Sequence, residues 1–239
     1  MKKNILLFGS DGLIGKAISN CLEKKFKIFK VDKNVKDEKL YYRCDVQKIN
    51  ELGILFKFFE KKNIFFSSII NATYPRPKKK INCYIDNNIT NFKNSLVAHL
   101  VPFYSVLLKS YIYYRKKRKN GQVISFSSVY GVKVPNFNIY KNTNIKSPIY
   151  YSASKSSLII LSKYFSEWSK FKKLKINFTT ISPAGVRNNQ SDLFQSNYRK
   201  IYKQPMIEKE IVAKKLQKII LDPKKFNGKN VMITNGIVL

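Results

Sequence analysis

Tyr151 and Lys155 lie four residues apart in the stretch Tyr150-Tyr151-Ser152-Ala153-Ser154-Lys155. Residues 149–170 read as a helix, so this i,i+4 pair shares one face, one turn apart. A phenol with a pKa of about 10 is a poor proton carrier at neutral pH. An ammonium one turn away favours the phenolate and moves the tyrosine toward a useful pKa. Tyrosine and lysine are both abundant here, so the pair alone reads equally well as a contact on a surface helix. A second constellation stands near the start of the chain. The apolar run Asn4-Ile5-Leu6-Leu7-Phe8 is followed by Gly9-Ser10-Asp11-Gly12-Leu13-Ile14-Gly15, which holds three of the chain's nine glycines. Such clustering points to a backbone requirement. Strand, tight glycine turn and helix N-terminus together make a pyrophosphate cradle, with free N–H groups and the positive end of the helix dipole facing the anion. The plainer reading is an ordinary strand–turn–helix connection. The next strand, Lys27 to Val31, ends in Asp32, which can accept both ribose hydroxyls of an adenine nucleotide.

These groups need a frame to bring them together. Strands read near 4–8, 27–32, 40–43, 68–71, 122–127, 175–182 and 230–234, and helices near 13–24, 47–61, 87–114, 149–170 and 206–221. In the first helix Ile14, Ala17, Ile18, Cys21 and Leu22 recur at i, i+3, i+4, i+7 and i+8, one apolar stripe. Strands and helices alternate with no Pro/Gly/Ser linker and no internal repeat. The pattern predicts one α/β domain over 1–239, a Rossmann-type, doubly wound parallel sheet with helices on both faces. Residues 87–114 are long for one helix, and Pro102 is expected to bend it.

In combination and order, these motifs resemble the short-chain dehydrogenase/reductase family over nearly the whole chain. Gly9, Gly12 and Gly15 resemble its dinucleotide turn, with the spacing of its extended and atypical members. Cys44-Asp45-Val46 resembles the adenine-contacting Asp-Val step. Ile70-Asn71-Ala72 resembles the Asn-Ala-Gly that closes strand four, with Thr73 where glycine is usual. Ser128, before Val129-Tyr130-Gly131, matches the catalytic serine, and Tyr151 and Lys155 match its partners. Pro183, Gly185 and Val186, in Ser182-Pro183-Ala184-Gly185-Val186, resemble the segment lining the nicotinamide. Asn227-Gly228-Lys229-Asn230-Val231 and Thr234-Asn235-Gly236 resemble the last strand and its exit. Two departures stand out. The gap from Ser128 to Tyr151 is long, and its extra stretch, Pro135 to Pro148, lacks any period and reads as a loop over the substrate mouth. The family's mid-helix asparagine, part of a proton relay, is missing. The alignment puts His99, the chain's single histidine, at or beside that position. A lone histidine in an apolar stretch is more often a packing residue.

The resemblance implies a hydride transfer between nicotinamide and a carbonyl or alcohol. Ser128 would bond the oxyanion, Tyr151 carry the proton, and Lys155 orient the ribose and keep the tyrosine's pKa low. It implies NAD as cofactor: Asp32 would repel a 2′-phosphate, while the adjacent Lys33 leaves NADP open. Asn71-Ala72-Thr73-Tyr74-Pro75-Arg76-Pro77, Ser127 to Gly131 and the loop through Pro135, Tyr140 and Pro148 look closest to oxidoreductases of flagellin-glycosylation and surface-polysaccharide gene sets, which implies a carbohydrate substrate, a precursor of an acidic sugar. An epimerase or dehydratase that retains NAD, and a dinucleotide sensor without turnover, are the alternatives. The short C-terminal region leaves little room for the substrate domain of the first, and the intact Ser128, Tyr151 and Lys155 speak against the second. The family also implies a homodimer or homotetramer, paired through the helices 87–114 and 149–170. Leu100, Phe103, Tyr104, Leu107, Leu108 and Tyr111 on the first, and Leu158, Leu161, Tyr164, Phe165 and Trp168 on the second, make apolar faces wider than a core needs.

Composition bounds the partners. The formal charge of +32 and the runs Arg115-Lys116-Lys117-Arg118-Lys119 and Lys78-Lys79-Lys80 invite a nucleic-acid reading. Against it, Lys, Ile, Asn, Phe and Tyr make up about half the chain, all encoded by AT-rich codons, which accounts for the lysine excess. Only six of 46 basic residues are arginine, the better phosphate fork, and the lysines are scattered. The run at 115–119 reads as a solvated helix-to-strand loop. Cys21, Cys44 and Cys83 are odd in number and lack metal-ligand spacing, which suits a reducing compartment, without a disulfide frame or a metal site. Lys2-Lys3 lead into only five strand residues before the glycine loop, unlike a signal peptide, and no apolar run reaches membrane length. The expectation is a cytoplasmic enzyme.

Overall fold

The computed structural model describes residues 2–75, 83–85 and 88–234. Seven strands, β1 (Asn4–Phe8), β2 (Lys27–Asp32), β3 (Tyr41–Arg43), β4 (Ser68–Asn71), β5 (Gly121–Phe126), β6 (Ile176–Pro183) and β7 (Asn230–Ile233), form one sheet in the order β3-β2-β1-β4-β5-β6-β7. Every pairing is parallel. Parallel neighbours cannot be joined by tight hairpins, so the chain crosses the sheet between strands, mostly through helices. These are α1 (Leu13–Leu22), α2 (Ile49–Lys61), α3 (Ile89–Lys117), α4 (Ile149–Phe171), α5 (Asp192–Tyr202) and α6 (Lys209–Leu221).

Strand β1 shows why its sequence is apolar throughout. Ile5 and Leu7 point into the core packed by α1 and α6, and Leu6 and Phe8 into the core packed by α2, α3 and α4. A strand buried on both faces has no solvent side to mark with polar residues. β1 pairs with β2 on one side and β4 on the other, so strand order reverses there and a crevice opens at the carboxyl ends.

Several expectations need correction. The helix expected over 87–114 runs as α3 from Ile89, capped by Asn88, without interruption past the buried Pro102 to Lys117. Arg115, Lys116 and Lys117 therefore belong to its last turn, where cations meet the negative end of the helix dipole; the loop begins only at Arg118, in the left-handed conformation. By length and composition α3 could cross a membrane, but half of its most apolar 18-residue stretch is buried inside the protein, where Phe103, Val106 and Leu107 are core residues. Helix α5 was not expected. The loop 135–148 contains a one-turn 3-10 helix, Phe137–Tyr140, with Ile139 and Tyr140 buried. On the expected pairing faces, Phe103, Leu107, Tyr111, Leu158 and Phe165 are buried in the core of the sheet. What stays exposed there is Tyr104, Tyr164 and Trp168, joined by Val97, Val101 and Ile160. The expected Asn87 start, Arg76-Pro77, Lys78-Lys79-Lys80 and Asn235-Gly236 lie outside the described residues.

Candidate active site

The glycine turn sits at the carboxyl end of β1. Gly9 has φ of 78°, and a Cβ on it would run into the Ala72 backbone at 2.7 Å. A Cβ on Gly15 would collide with the Gly9 carbonyl, so that glycine lets α1 lie against the turn. Gly12 differs. A Cβ there would meet only the Gly9 oxygen, at an ordinary 3.4 Å, so the protein's own packing does not demand glycine. The open space faces outward, where a ligand's backbone contact would need it. The loop's own donors are mostly committed: Gly9 and Ser10 N–H donate to the Val31 carbonyl, Gly12 N–H to the Gly9 carbonyl, and Asp11 N–H to Asp32 Oδ2 at 3.1 Å. Among the described residues, the N–H groups of Leu13, Ile14 and Gly15 have no partner. The donors available to an anion are thus those of the first turn of α1, not of the whole loop. Asp32 stands at the end of β2, its second oxygen accepting from Asn34 N–H. Asp45 follows β3, its Oδ1 accepting from Gln47 N–H. Val46 buries its side chain in the core, so only its backbone can face a ligand. The Asp11 carboxylate forms an exposed ion pair with Lys16 at 2.8 Å.

Ser128, Tyr151 and Lys155 meet across the end of β5 and the start of α4. Ser128 Oγ accepts the Tyr130 N–H at 3.2 Å, which leaves its own proton for the Tyr151 oxygen, to which it is hydrogen-bonded. Two contacts fix this geometry. Ser127 Oγ donates to the Lys155 carbonyl at 2.7 Å, tying the strand end to the helix. Gly131 lies so close to the Lys155 carbonyl that a Cβ would meet it at 2.7 Å. Lys155 is 5% exposed, and its ammonium lies 5.6 Å from the Tyr151 ring centroid and 5.3 Å from that of Tyr74. Burial pushes its pKa down to about 8. The lowering expected of this lysine is not among the influences that set the Tyr151 pKa. Burial raises the Tyr151 pKa; the Ser128 hydrogen bond opposes that and Tyr150 adds to it. The phenol is therefore protonated at neutral pH. His99 is brought to the same place. It is 3% exposed, packed between the rings of Tyr74 (5.2 Å) and Tyr150 (5.8 Å). Burial first, and then the Lys155 charge, lower its pKa to about 4, and its Nε2 has no partner among the described residues.

A cavity of about 740 Å³ opens over Ser128 and Tyr151. Pro183, Gly185 and Val186 line it from the end of β6, and Ile14 from α1. A Cβ on Gly185 would press on the Tyr198 ring at 2.7 Å, and its N–H donates to the Tyr198 hydroxyl. Asn71 ends β4; its Oδ1 accepts from Thr73 N–H and hydroxyl, while its buried Nδ2 has no partner among the described residues. That hydroxyl contact gives Thr73 a role where glycine is usual, and Thr73 is not among the residues with positive φ. Ala72 abuts Gly9. Tyr74, Tyr130, Tyr140 and Tyr150, present in the sequence motifs but not among the expected site residues, also line the cavity, as do Lys146 and, from α5, Phe194 and Tyr198. Helix α5 did carry a signal: Ser191 as N-cap with Asp192 in the first turn, and Phe194 and Tyr198 one turn apart.

No family model matches the chain. A post-translational flagellin modification protein A of Campylobacter coli is 26% identical over 253 residues, which cover 98% of this chain and 97% of that protein. Among solved structures, a short-chain dehydrogenase of Leptospira borgpetersenii with bound NAD+ superimposes with a TM-score of 0.85 at 22% identity, covering 100% of this chain and 94% of that one. A 4-hydroxyisoleucine dehydrogenase complexed with NADH does so with a TM-score of 0.76 at 21% identity, covering 98% of both. Strand order, glycine turn and whole-length superposition agree: this chain has the fold of the short-chain dehydrogenases.

Proposed function

We propose that the protein is a nicotinamide-dinucleotide-dependent oxidoreductase that interconverts a carbonyl and an alcohol on a small sugar precursor of surface carbohydrate. The observation that carries this reading is the Ser128–Tyr151 pair lining the cavity, with the Lys155 ammonium 5.6 Å from the Tyr151 ring centroid and Ile14 of the first turn of α1 on the same wall. The residues present fit a dinucleotide. Leu13, Ile14 and Gly15 N–H would hold the pyrophosphate, Gly12 leaves room for it, and Asp32 and Asp45 stand where adenosine would lie. The buried Ser10 Oγ and Asn71 Nδ2, both without partners among the described residues, suit the same ligand. When bound, nicotinamide supplies or accepts the hydride. The chain's own residues handle the proton. Tyr151, protonated at neutral pH, gives its proton to the developing alkoxide and takes it back in reverse. Ser128, oriented by Tyr130 N–H, donates to the same oxygen. The Lys155 ammonium stabilises phenolate formation. His99, neutral and with an unpartnered Nε2 beside Lys155, is suited to accept from a water bridging to that ammonium, which makes it a positioning residue. The sugar rests on the name of the Campylobacter coli relative, which acts in flagellin modification. The free thiols Cys21, Cys44 and Cys83 suit a reducing cytoplasm.

Fluorescence titration of the purified protein with NADH and NADPH tests the cofactor. Asp32 would repel a 2′-phosphate, so NADH should bind more tightly and Asp32→Ala should narrow the difference. Failure to bind either one would remove the oxidoreductase reading, and tighter NADPH would overturn the preference.

A further inference from the structure

We propose that Lys146 anchors an anionic group of the substrate, so that the cavity takes a polyhydroxylated carbonyl or alcohol bearing a carboxylate or a phosphate. The inference rests on the oxidoreductase reading of this cavity and deepens it. An unpaired lysine means little on a chain of net charge +32. Position sets Lys146 apart. Among the described residues that line the cavity there is no Asp, Glu, Arg or His, and Lys146 is the one charged side chain. It has no carboxylate partner among the described residues, and its ammonium instead lies 5.1 Å from the centroid of the Tyr84 ring.

Neighbouring polar groups on the wall are already engaged. Gln190 accepts from Asn188 N–H and donates to the Val186 carbonyl; Tyr198 accepts from Gly185 N–H; Tyr140 donates to Tyr130 at 3.0 Å. Among the described residues no carboxylate takes the ammonium, whose three donors suit an anion. It is also held in place. Thr143 Oγ1 donates to the Tyr140 carbonyl and accepts from Ile145 N–H, and Asn197 of α5 donates to the Ile139 and Lys141 carbonyls. Tyr84, beneath the ammonium, packs on Phe137 and Tyr140 and accepts from Ile149 N–H through its carbonyl. A cation fixed on a braced loop at the wall of an aromatic cavity attracts an anion more strongly than one on a mobile chain end. The positive field of the whole molecule adds to that pull.

Calorimetric titration with glucose, glucuronate and the corresponding hexose phosphate, with and without saturating NADH, tests the anchor. One anion or both should bind about tenfold more tightly than glucose, an increment typical of a charge-assisted hydrogen bond. Lys146→Gln should bring the anions to the level of glucose and leave NADH affinity unchanged, while Lys146→Arg keeps the preference. The tighter anion identifies the group. Equal affinity for all three sugars, no saturable binding of either anion, or a preference retained by Lys146→Gln would overturn the proposal. NADH binding without anion preference sinks the anchor alone; anion preference without NADH binding sinks the oxidoreductase reading alone.

Discussion

Lys155 keeps its charge where burial resists it, and that tension has a measurable sign. The unfolded chain holds this proton up to the usual pKa of 10.5, the folded protein only to about 8. Between those values the unfolded state binds more protons, so this group's effect on stability becomes more favourable as pH rises through the window. Below it the full penalty applies. Lys155→Met should therefore raise Tm at pH 7 by several degrees while removing turnover, and the gain should vanish above about pH 10. A variant less stable than the parent at pH 7 would contradict the buried-ammonium picture. As the single histidine, His99 gives an unambiguous imidazole signal in NMR. It should titrate near pH 4, and a midpoint near 6.5 would place the ring in solvent. The Tyr151–Lys155 pair was legible from spacing, because i,i+4 geometry follows from the helix alone. The direction of the tyrosine's shift was not, because burial depends on Tyr74, Tyr130 and the loop through Tyr140, which arrive from distant parts of the chain.

At the scale of elements, the glycine turn and α1 separate folding from binding. Gly15→Ala pushes a Cβ into the Gly9 carbonyl and should unfold or severely destabilise the protein. Gly12→Ala meets only an ordinary contact, so the protein should fold with near-normal Tm and bind NADH about tenfold more weakly, a loss of about 1.4 kcal/mol. Thermal melts and NADH titration of the two variants check this, and equal NADH affinity for Gly12→Ala would place the ligand elsewhere. The strands were readable because buried parallel strands are short apolar runs, as in Ile5–Phe8. Helix α5 was hidden by its short length and by having only two buried side chains, Phe194 and Tyr198, in a mostly polar sequence. The stretch 135–148 has no sequence period because its order comes from single hydrogen bonds, such as Thr143 to Tyr140.

For the whole molecule, charge and exposed apolar surface pull toward different partners. The described salt bridges are few and mostly exposed, so repulsion among 46 basic residues goes largely unopposed by pairing. The aromatic surface on α3 and α4 remains, with Tyr164 68% exposed and Phe171 71%. We expect it to pair with a second copy. Light scattering in moderate salt should give a dimer or tetramer, and Tyr164→Glu with Trp168→Glu should give a mass near 28 kDa; a parent protein already of that mass would rule the interface out. Sequence alone overstated this face, since it cannot separate Phe103 and Leu107, which pack beneath the sheet, from Tyr104, which does not. The oxidoreductase assignment is tested most directly by incubating the protein with NADH deuterated at C4 and a cell extract, then following carbon-bound deuterium in sugars by mass spectrometry. The parent should transfer deuterium and Tyr151→Phe should retain NADH binding but transfer about 10²–10⁴-fold more slowly. No transfer by the parent, or more than about a tenth of its rate in Tyr151→Phe, would contradict the assignment.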